Sequence, residues 1–294
     1  MLTRTHQLNT QQLIDLDVLC VDCKQADGHN IAVYKHLLSQ HRSLPSNILY
    51  YQKERLVGFL STFFFYHDTC EVAIMVAPSC RRQGIAKHMV KYILSFILTQ
   101  GVKTLLFSTP KDLNNDWLDL HGFYYQSSEY QMQRAQNAPN IIRNSNSLTI
   151  RPALPGDLQA LYAIDYACFS PQGTDMAQRL QQVLHDPNYS VFIALKEGIP
   201  IGKAHLHWQP DSVRLTDLAI LPHAQGCGFG SELLTHCINY CLRANQSKIN
   251  LDVETANQHA LKLYSRQGFV VHNAYDFWAI PINILQQYIQ PTAI

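Results

Sequence analysis

The pattern of apolar and polar residues along the second half of the chain changes period several times, and each change marks a predicted element. The pair Glu197-Gly198 predicts a tight turn between two strands, so three consecutive strands form an antiparallel meander. The predicted order is β, α, α, β, β, β, α, β, α, β, β. Strands are predicted at 148–151, 190–196, 199–208, 213–221 and 248–253, helices at 155–167, 174–185, 229–243 and 257–267, and two short strands within 269–281.

The first half of the chain repeats this order, with an opening strand that the pattern leaves poorly defined. Residues 77–86 align with 221–230 at an offset of 144, and 120–123 align with 266–269 at an offset of 146. Two landmarks at nearly one spacing indicate a duplicated domain. We therefore predict a first domain at 1–134, an Asn- and Ser-rich linker at 135–147 and a second domain at 148–294. The first domain has predicted helices at 10–26, 31–41 and 85–99, with strands within 48–76 and at 104–108.

Composition narrows the class of protein. The 294 residues are 47% hydrophobic, which excludes intrinsic disorder, and 23 Lys and Arg against 22 Asp and Glu argue against a nucleic-acid partner. The beginning of the chain does not resemble an export signal, and no apolar stretch reaches the ~18 residues of a membrane span. We expect a cytoplasmic protein without a membrane anchor, whose eight cysteines are reduced. Cys20 and Cys23 lack a second pair at ligand spacing, so we predict no metal site.

The Gly-rich turn Gln225-x-x-Gly228-x-Gly230 follows a predicted strand and opens a predicted helix. Backbone N–H groups at a helix N-terminus bind anions, and glycines let phosphate oxygens approach the main chain. The turn therefore predicts a pyrophosphate site. Taken alone, an ordinary strand-to-helix loop would explain it as well. A Rossmann dinucleotide site is disfavoured because the turn follows a meander and not the first strand of a βαβ unit.

In this context the turn resembles the phosphate-binding signature (R/Q)-x-x-G-x-(G/A) of the GNAT family of acetyl-CoA-dependent N-acetyltransferases, and both repeats carry it. The fold class that follows is α/β (α+β), with two tandem GNAT domains, each a mixed central sheet flanked by helices. The layout resembles that of mycothiol synthases. The resemblance implies contact with acetyl-CoA for Leu218, Ala219, Ile220, Gln225, Gly226, Cys227, Gly228, Phe229, Gly230, Ser231 and Asn257 in the second copy, and for Arg81, Arg82, Gln83, Gly84, Ile85 and Ala86 in the first.

A second signature, Leu251-Asp252-Val253-Glu254-Thr255-Ala256-Asn257 with Tyr264 downstream, resembles the branch of the family that acetylates the N-terminal amine of a ribosomal protein. The resemblance implies that Tyr264 is the general acid and Asp252 the general base. The family usually has Glu at the base position, and Asp is one methylene shorter. Asp217 and Glu254 are therefore alternative bases, or a water chain serves. His205 and His207 share a face of a predicted strand, where they either line the acceptor cleft or are solvated.

The first copy lacks these catalytic groups. At the 146 offset, Tyr264 corresponds to Leu118 and Asp252 to Leu106, while Asn257 corresponds to Lys111. We expect the first copy to have lost the chemistry while its phosphate loop still binds acetyl-CoA, although Glu71 on its fourth strand leaves activity possible.

We therefore predict an enzyme that moves the acetyl group of acetyl-CoA to a primary amine, of a small molecule or a peptide N-terminus, by direct transfer in the second domain. The alternatives are a different acyl-CoA, or a catalytically silent acyl-CoA-binding or protein-interaction module.

Overall fold

The computed structural model describes residues 1–135, 147–169 and 176–289. The chain forms two compact units. Unit 1 is Met1–Glu129 with Asn273–Ile294, and unit 2 is Tyr130–His272. The predicted linker lies almost entirely outside the described residues. Unit 1 contains β1 (Leu2–Thr5), α1 (Thr10–Asp27), α2 (Lys35–Leu38), β2 (Asn47–Gln52), β3 (Arg55–Phe63), β4 (Thr69–Val76), α3 (Ile85–Leu98), β5 (Thr104–Pro110) and α4 (Asn115–Leu120), then most of β12 (Phe269–Pro281) and α9 (Ile282–Ile289); β6 (Tyr124–Arg134) begins in it.

The local sequence sets the boundaries of the first helix. Asn9 and Gln12 form a capping box at the start of α1, and Gly28 ends the helix with φ +79°, a conformation that costs glycine little. The predicted helix at 31–41 is wrong in extent, because only Lys35–Leu38 is helical. Ala32 instead lies in a segment without regular secondary structure and packs with Tyr275 and Phe277, so tertiary burial overrides the local pattern.

The sheet of unit 1 has the strand order β1-β2-β3-β4-β5-β12. Its β4 and β5 are parallel, from Thr69 beside Thr104 to Val72 beside Phe107, and the other neighbours are antiparallel. Helices α1 and α3 pack against β3 and β4, which puts the hydrophobic core between these helices and the middle of the sheet.

The sheet of unit 1 is completed by the end of the second sequence repeat. In β12, the stretch from Tyr275 to Pro281 pairs antiparallel with the whole of β5. The domains predicted from the repeat, 1–134 and 148–294, thus differ from the compact units, which assign residues 273–294 to the first unit. The two short strands predicted within 269–281 are one strand of 13 residues, whose exposed Val270, Val271 and His272 interrupt the apolar pattern.

Unit 2 follows the predicted order closely, and its helix at 229–243 has the predicted bounds. Its strands run in the order β7-β8-β9-β10-β11, antiparallel except for the pair β10 and β11. The elements are β7 (Thr149–Pro152), α5 (Leu158–Cys168), α6 (Met176–His185), β8 (Tyr189–Lys196), β9 (Ile199–Gln209), β10 (Ser212–Ile220), α7 (Phe229–Arg243), β11 (Ile249–Glu254) and α8 (Gln258–Arg266).

Helices cover both faces of the sheet in unit 2. Phe192 and Ala194 share a core with residues of α7, whereas the alternating Val191 and Ile193 pack in a second cluster with Leu161 of α5 and Leu180 of α6. Because successive side chains of a strand point to opposite faces, α7 lies on one side of the sheet and α5 and α6 lie on the other.

Replacing Ile280, which is fully buried in β12 opposite Leu105 of β5, tests the assignment of this strand to unit 1. We expect Ile280→Ala to cost about 2–5 kcal/mol, the usual range for truncating a buried isoleucine. Hydrogen exchange should increase in peptides from β5 and leave those from β9 unchanged. The matched control is Val270→Ala in the exposed part of the same strand. Faster exchange confined to unit 2 would contradict the assignment.

Candidate active site

A β-bulge interrupts the regular pairing of β10 with β9 in unit 2. The register with β9 shifts between Thr216 and Ala219, and Asp217 adopts φ +50°, which is strained for a non-glycine residue. The parallel register with β11 covers only Val213 and Arg214, at the start of both strands. Beyond it, β10 runs six residues further to its end, so the backbone of Leu218, Ala219 and Ile220 lies past the shared ladder.

The bulge requires a close approach between β9 and β10. A Cβ atom on Gly202 would lie 2.4 Å from Cδ1 of Ile220 and 2.8 Å from the carbonyl oxygen of Ala219. No real Cβ occupies such a position, so glycine is needed on β9 where it faces the bulged strand.

The predicted phosphate loop lies directly after β10. Gly226 and Gly228 have φ +77° and +87°, and a Cβ on either would meet nothing within 4 Å. The side chain of Gln225 donates to the carbonyl oxygen of Ile220 at 2.8 Å, which ties the loop to the end of the strand. Helix α7 begins at Phe229, so its first backbone N–H groups point towards this open space.

The other predicted loop residues differ in exposure. Cys227 is exposed, whereas the ring of Phe229 is buried in the core, so only its backbone faces the loop. The Cβ position of Gly230 is in ordinary contact range of Leu263 and Ile220, at 3.7 and 3.8 Å. The amide of Gln267 donates to the hydroxyl of Ser231 at 3.0 Å.

Tyr264 of α8 lies in the hydrophobic cluster that also contains Ile220 and Phe229. Its ring packs edge-on against Phe269, with 5.9 Å between the centroids, and the side chain is 8% exposed. Burial raises the pKa of Tyr264 to about 12, so the hydroxyl keeps its proton at neutral pH. Asn257 is exposed and caps α8, its side-chain oxygen accepting from the backbone N–H of Ala260 at 3.0 Å.

Asp252 points to the opposite side of β11. Leu251 and Val253 share the cluster of Tyr264, so the alternating Asp252 faces away from it. Its carboxylate forms an ion pair with Arg214 of β10. Burial raises the pKa of Asp252, and the positive charge of Arg214 opposes this shift, as do a hydrogen bond from Gln131 and the charge of His272. Glu254, on the same side of the strand, is exposed.

A buried chain of polar side chains lies next to the bulge. Lys203 of β9 forms an ion pair with Asp165 of α5, and its Nζ is 3.3 Å from Nε2 of His205. The Nδ1 atom of His205 is 3.0 Å from Oδ2 of Asp217, to which Arg179 also reaches at 3.4 Å. Lys203 and His205 are almost fully buried, so the solvated alternative for His205 is wrong.

The shifts in pKa within this cluster of buried polar side chains follow from burial and charge. Burial lowers the pKa of Lys203 and that of His205, since it disfavours their charged forms. Burial would raise the pKa of Asp217, but the hydrogen bond with His205 and the nearby positive charges outweigh it and hold that pKa well below its usual range. Lys203, Asp165 and Arg179 were not predicted as site residues. The available signal in the sequence was a lysine flanked by Gly202 and Ala204 inside a predicted strand.

The phosphate loop in unit 1 has the same backbone conformation as the loop in unit 2. Gly84 has φ +79° and Arg82 has φ +60°, matching Gly228 and Gly226. Arg81 donates to the carbonyl oxygen of Val76 at 3.0 Å, as Gln225 does to Ile220, and also forms two 2.7 Å hydrogen bonds to Asp27. In this loop, Gln83 and Ala86 are exposed and Ile85 is buried.

Within residues 1–135, 147–169 and 176–289, no group of three or more His, Cys, Asp or Glu could hold a metal ion. Cys20 and Cys23 are buried in α1, and the thiol of Cys23 contacts the carbonyl oxygen of Val76 at 3.6 Å. None of the described helices is both long and apolar enough to span a bilayer.

Comparisons with known proteins agree with this architecture. The sequence profile of the Acetyltransferase (GNAT) family matches twice, at residues 13–124 and 158–269. A mycothiol acetyltransferase of Mycobacteroides abscessus is 30% identical over 218 residues, which are 69% of this chain and 72% of that protein. A putative [ribosomal protein bS18]-alanine N-acetyltransferase of Bacillus subtilis is 25% identical over 113 residues, 38% of this chain and 74% of its own length.

The fold has a solved counterpart. The crystal structure of a GCN5-related N-acetyltransferase from Sphaerobacter thermophilus superposes with a TM-score of 0.76 at 16% identity, covering 96% of each chain. The family profile covers most of the chain, and each match spans a phosphate loop of the kind described above. The resemblance inferred from the sequence is thus confirmed: the chain belongs to the GNAT family of acetyltransferases and carries two tandem GNAT domains.

Proposed function

We propose that the protein transfers the acetyl group of acetyl-CoA to a primary amine, and that unit 2 performs the transfer. The observation that carries the proposal is the left-handed glycine turn at the start of α7, which directly follows the bulged β10 in the same unit as Tyr264. Members of the GNAT family use acetyl-CoA, and the enzyme class is an acyltransferase. The nature of the amine acceptor and the different roles of the two units are the parts of this proposal that go beyond membership of the family.

The residues of the loop fit an anionic cosubstrate. Open space at the Cβ positions of Gly226 and Gly228 leaves room for phosphate oxygens beside the N–H groups at the start of α7. Beyond the shared ladder with β11, the backbone of Leu218, Ala219 and Ile220 can pair with an extended ligand as an added strand would. When bound there, acetyl-CoA supplies the activated acetyl thioester.

Two side chains divide the proton transfers: Tyr264 of α8, which packs on one face of β11, and Asp252, which points to the other face. Tyr264 keeps its proton at neutral pH and so can donate it to the leaving sulfur. Asp252 can accept a proton from the acceptor ammonium on the other face of β11. Its raised pKa makes it a better proton acceptor than an aspartate with the usual pKa. Arg214 holds the Asp252 carboxylate in place. A backbone N–H near Ala219 or Ile220 would polarise the acetyl carbonyl.

A second candidate base has a specific observation behind it. Asp217 lies on the bulge itself, with its Oδ2 atom 3.0 Å from Nδ1 of the buried His205. Burial lowers the pKa of His205, which leaves its ring available as a proton acceptor, whereas the depressed pKa of Asp217 makes that carboxylate a weaker base than Asp252. Exposed Glu254 has no comparable support, so we rank it third.

The relatives suggest two kinds of acceptor. One is named for mycothiol and the other for an alanine of a ribosomal protein, so we propose either a small-molecule amine or a peptide N-terminus. Screening amines and peptides with acetyl-CoA and detecting acetylated product by mass spectrometry tests the proposal. An acetylated amine that the wild type forms, and that Tyr264→Phe forms at least about tenfold more slowly, supports it. Turnover of only a different acyl-CoA, or ligand binding without any product, would favour the acyltransferase and silent-module alternatives.

Unit 1 is proposed to bind acetyl-CoA without transferring it. Its loop keeps the two left-handed residues Arg82 and Gly84, and Lys87, His88 and Lys91 line a groove beside Gly84 that suits phosphate groups. Leu118, buried at the position of Tyr264, cannot donate a proton.

Gly228→Val should abolish cosubstrate binding in unit 2. A valine at φ +87° strains the turn and fills the space where phosphate oxygens approach. Calorimetry of the full chain with CoA should lose one binding event. The matched control is Gly101→Val, at another left-handed glycine remote in sequence from both loops. Unchanged binding by a folded Gly228→Val protein would refute the loop assignment.

Tyr264→Phe should lower kcat by roughly ten- to a thousandfold, the usual range for loss of a general acid, with little change in the apparent affinity for acetyl-CoA. Phe keeps the ring that packs against Phe269 and removes only the hydroxyl. Gly84→Val in unit 1 should leave turnover largely intact. The assignment of the active unit is wrong if a folded Gly84→Val protein is inactive while Tyr264→Phe retains full activity.

The pH profile identifies the base. A carboxylate accepts a proton only when ionised, so kcat/KM should rise with pH through the raised pKa of Asp252 and through that of the amine. Asp252→Asn should depress this limb while acetyl-CoA binding stays near normal. Asp217→Asn and Glu254→Gln, measured beside it, separate the alternatives. A wild-type profile for Asp252→Asn would remove this residue from the mechanism, and a flattened profile for Asp217→Asn would transfer the role to the bulge.

A further inference from the structure

The first turn of α7 and the end of α8 are joined by one buried polar side chain. Gln267, directly after α8, is 4% exposed. Its side-chain amide donates to the hydroxyl of Ser231 at 3.0 Å and to that of Thr235 at 3.4 Å. These two acceptors lie one turn apart on α7. The amide is therefore shared between a predicted contact of acetyl-CoA and a buried threonine of the same helix.

The backbone of Gln267 is fixed as well. Its N–H donates to the carbonyl oxygen of Tyr264 at 3.0 Å. Its own carbonyl oxygen accepts from Nε of the buried Arg134 at 3.2 Å. Because buried polar groups are costly to leave unpaired, these bonds hold Gln267 in one arrangement, with its amide directed at Ser231.

The donor that Ser231 can offer to acetyl-CoA is its hydroxyl. The backbone N–H of Ser231 donates to the carbonyl oxygen of Gly228 at 3.0 Å, so it is already used within the first turn of α7. The hydroxyl oxygen accepts from Gln267, and no described residue accepts the hydroxyl hydrogen. Side chains of a helix lean towards its N-terminus, which puts this half-buried hydroxyl on the side of the open loop at Gly226 and Gly228. Its hydrogen can therefore point to an anion in the loop.

We propose that Gln267 is a positioning residue for the pyrophosphate of acetyl-CoA. By donating to the oxygen of Ser231, its amide turns the single hydroxyl hydrogen away from itself and towards the loop, where a phosphate oxygen accepts it. The inference rests on the proposed binding of acetyl-CoA to unit 2. It adds a residue at the end of α8 that acts on the phosphate loop through Ser231.

Unit 1 lacks this pair of residues. At the two offsets of the repeat, Ser231 corresponds to Lys87 and Gln267 to His121. Lys87 is exposed. The ring of His121 is stacked on Trp117, with 4.0 Å between the centroids, and its Nδ1 atom is 2.7 Å from the carbonyl oxygen of Trp117. The fixed hydroxyl therefore belongs to the unit to which we assign the transfer.

Hydrogen exchange of the full chain, followed as CoA is titrated, measures the affinity of unit 2 by itself through peptides that span 225–231. Ser231→Ala removes the donor, so it should weaken CoA binding roughly ten- to a hundredfold, the range for a hydrogen bond to a charged group. Gln267→Leu keeps the bulk of the side chain and removes the amide, so the hydroxyl of Ser231 loses its fixed orientation. The affinity should then fall at least about threefold, as expected for coupled residues in contact. In the Ser231→Ala background, Gln267→Leu should cause no further loss.

Thr235→Val is the matched control, because it removes the other hydroxyl that Gln267 contacts and leaves Ser231 in place. It should keep the affinity for CoA even where it lowers the melting temperature, whereas a purely structural role of Gln267 predicts the same effect from Thr235→Val and Gln267→Leu. The proposal is overturned if folded Gln267→Leu binds CoA as the wild type does, or if its effect persists in the Ser231→Ala background.

Ser231→Ala keeps the test decisive if Gln267→Leu does not fold, because unchanged CoA affinity in that variant also overturns the proposal. Alanine suits a helix, so this half-buried position should tolerate it. The two levels of the account fail in different ways. Absence of any protection by CoA at 225–231 in the wild type refutes the proposed function, whereas protection that neither Ser231→Ala nor Gln267→Leu weakens refutes the role of Gln267 alone.

Discussion

The bulge in β10 is the constraint on which the candidate site depends. One extra residue between Thr216 and Ala219 puts Asp217 in a left-handed conformation, shortly after the two-residue parallel ladder with β11 ends. The end of β10 then carries main-chain groups past that ladder and leads directly into the glycine turn before α7. Without the bulge, β10 could continue its pairing with β11, and the backbone of residues 218–220 could no longer pair with the cosubstrate as proposed.

The bulge also positions the carboxylate of Asp217. Asp217 meets His205 on β9, and the chain of polar contacts continues through Lys203 to Asp165 of α5. Such a buried network holds its members in one arrangement, because breaking any link leaves a buried charge unpaired. The two units share the phosphate loop but differ at the position of the proposed general acid, where unit 2 has Tyr264 and unit 1 has the buried Leu118. This difference is the basis for assigning them different roles.

Site residues were most predictable from the sequence where the backbone geometry requires a particular residue type. Gly226, Gly228 and Gly84 adopt positive φ, so the two loops could be found from their glycines alone. The family and the fold were accessible for the same reason.

Two features could not be predicted, for different physical reasons. The apolar pattern of β12 predicts which side chains are buried but not which strand lies beside it. Nothing in the sequence therefore indicated its pairing with β5. The burial of Lys203 depends on Asp165, which comes from another element, and a lysine in a strand is ordinarily exposed. Whether Asp252 or Asp217 is the base likewise depends on partners that only the folded chain brings together.

The central claim, that the loop after the bulge holds the cosubstrate of the transferring unit, is tested most directly by hydrogen exchange of the full chain with and without acetyl-CoA. The account predicts slower exchange in peptides spanning 218–220 and 225–231, next to α7, with a weaker effect at 81–86 if unit 1 binds as well. Protection confined to 81–86, with no change around 218–231, would contradict it and assign the cosubstrate to unit 1.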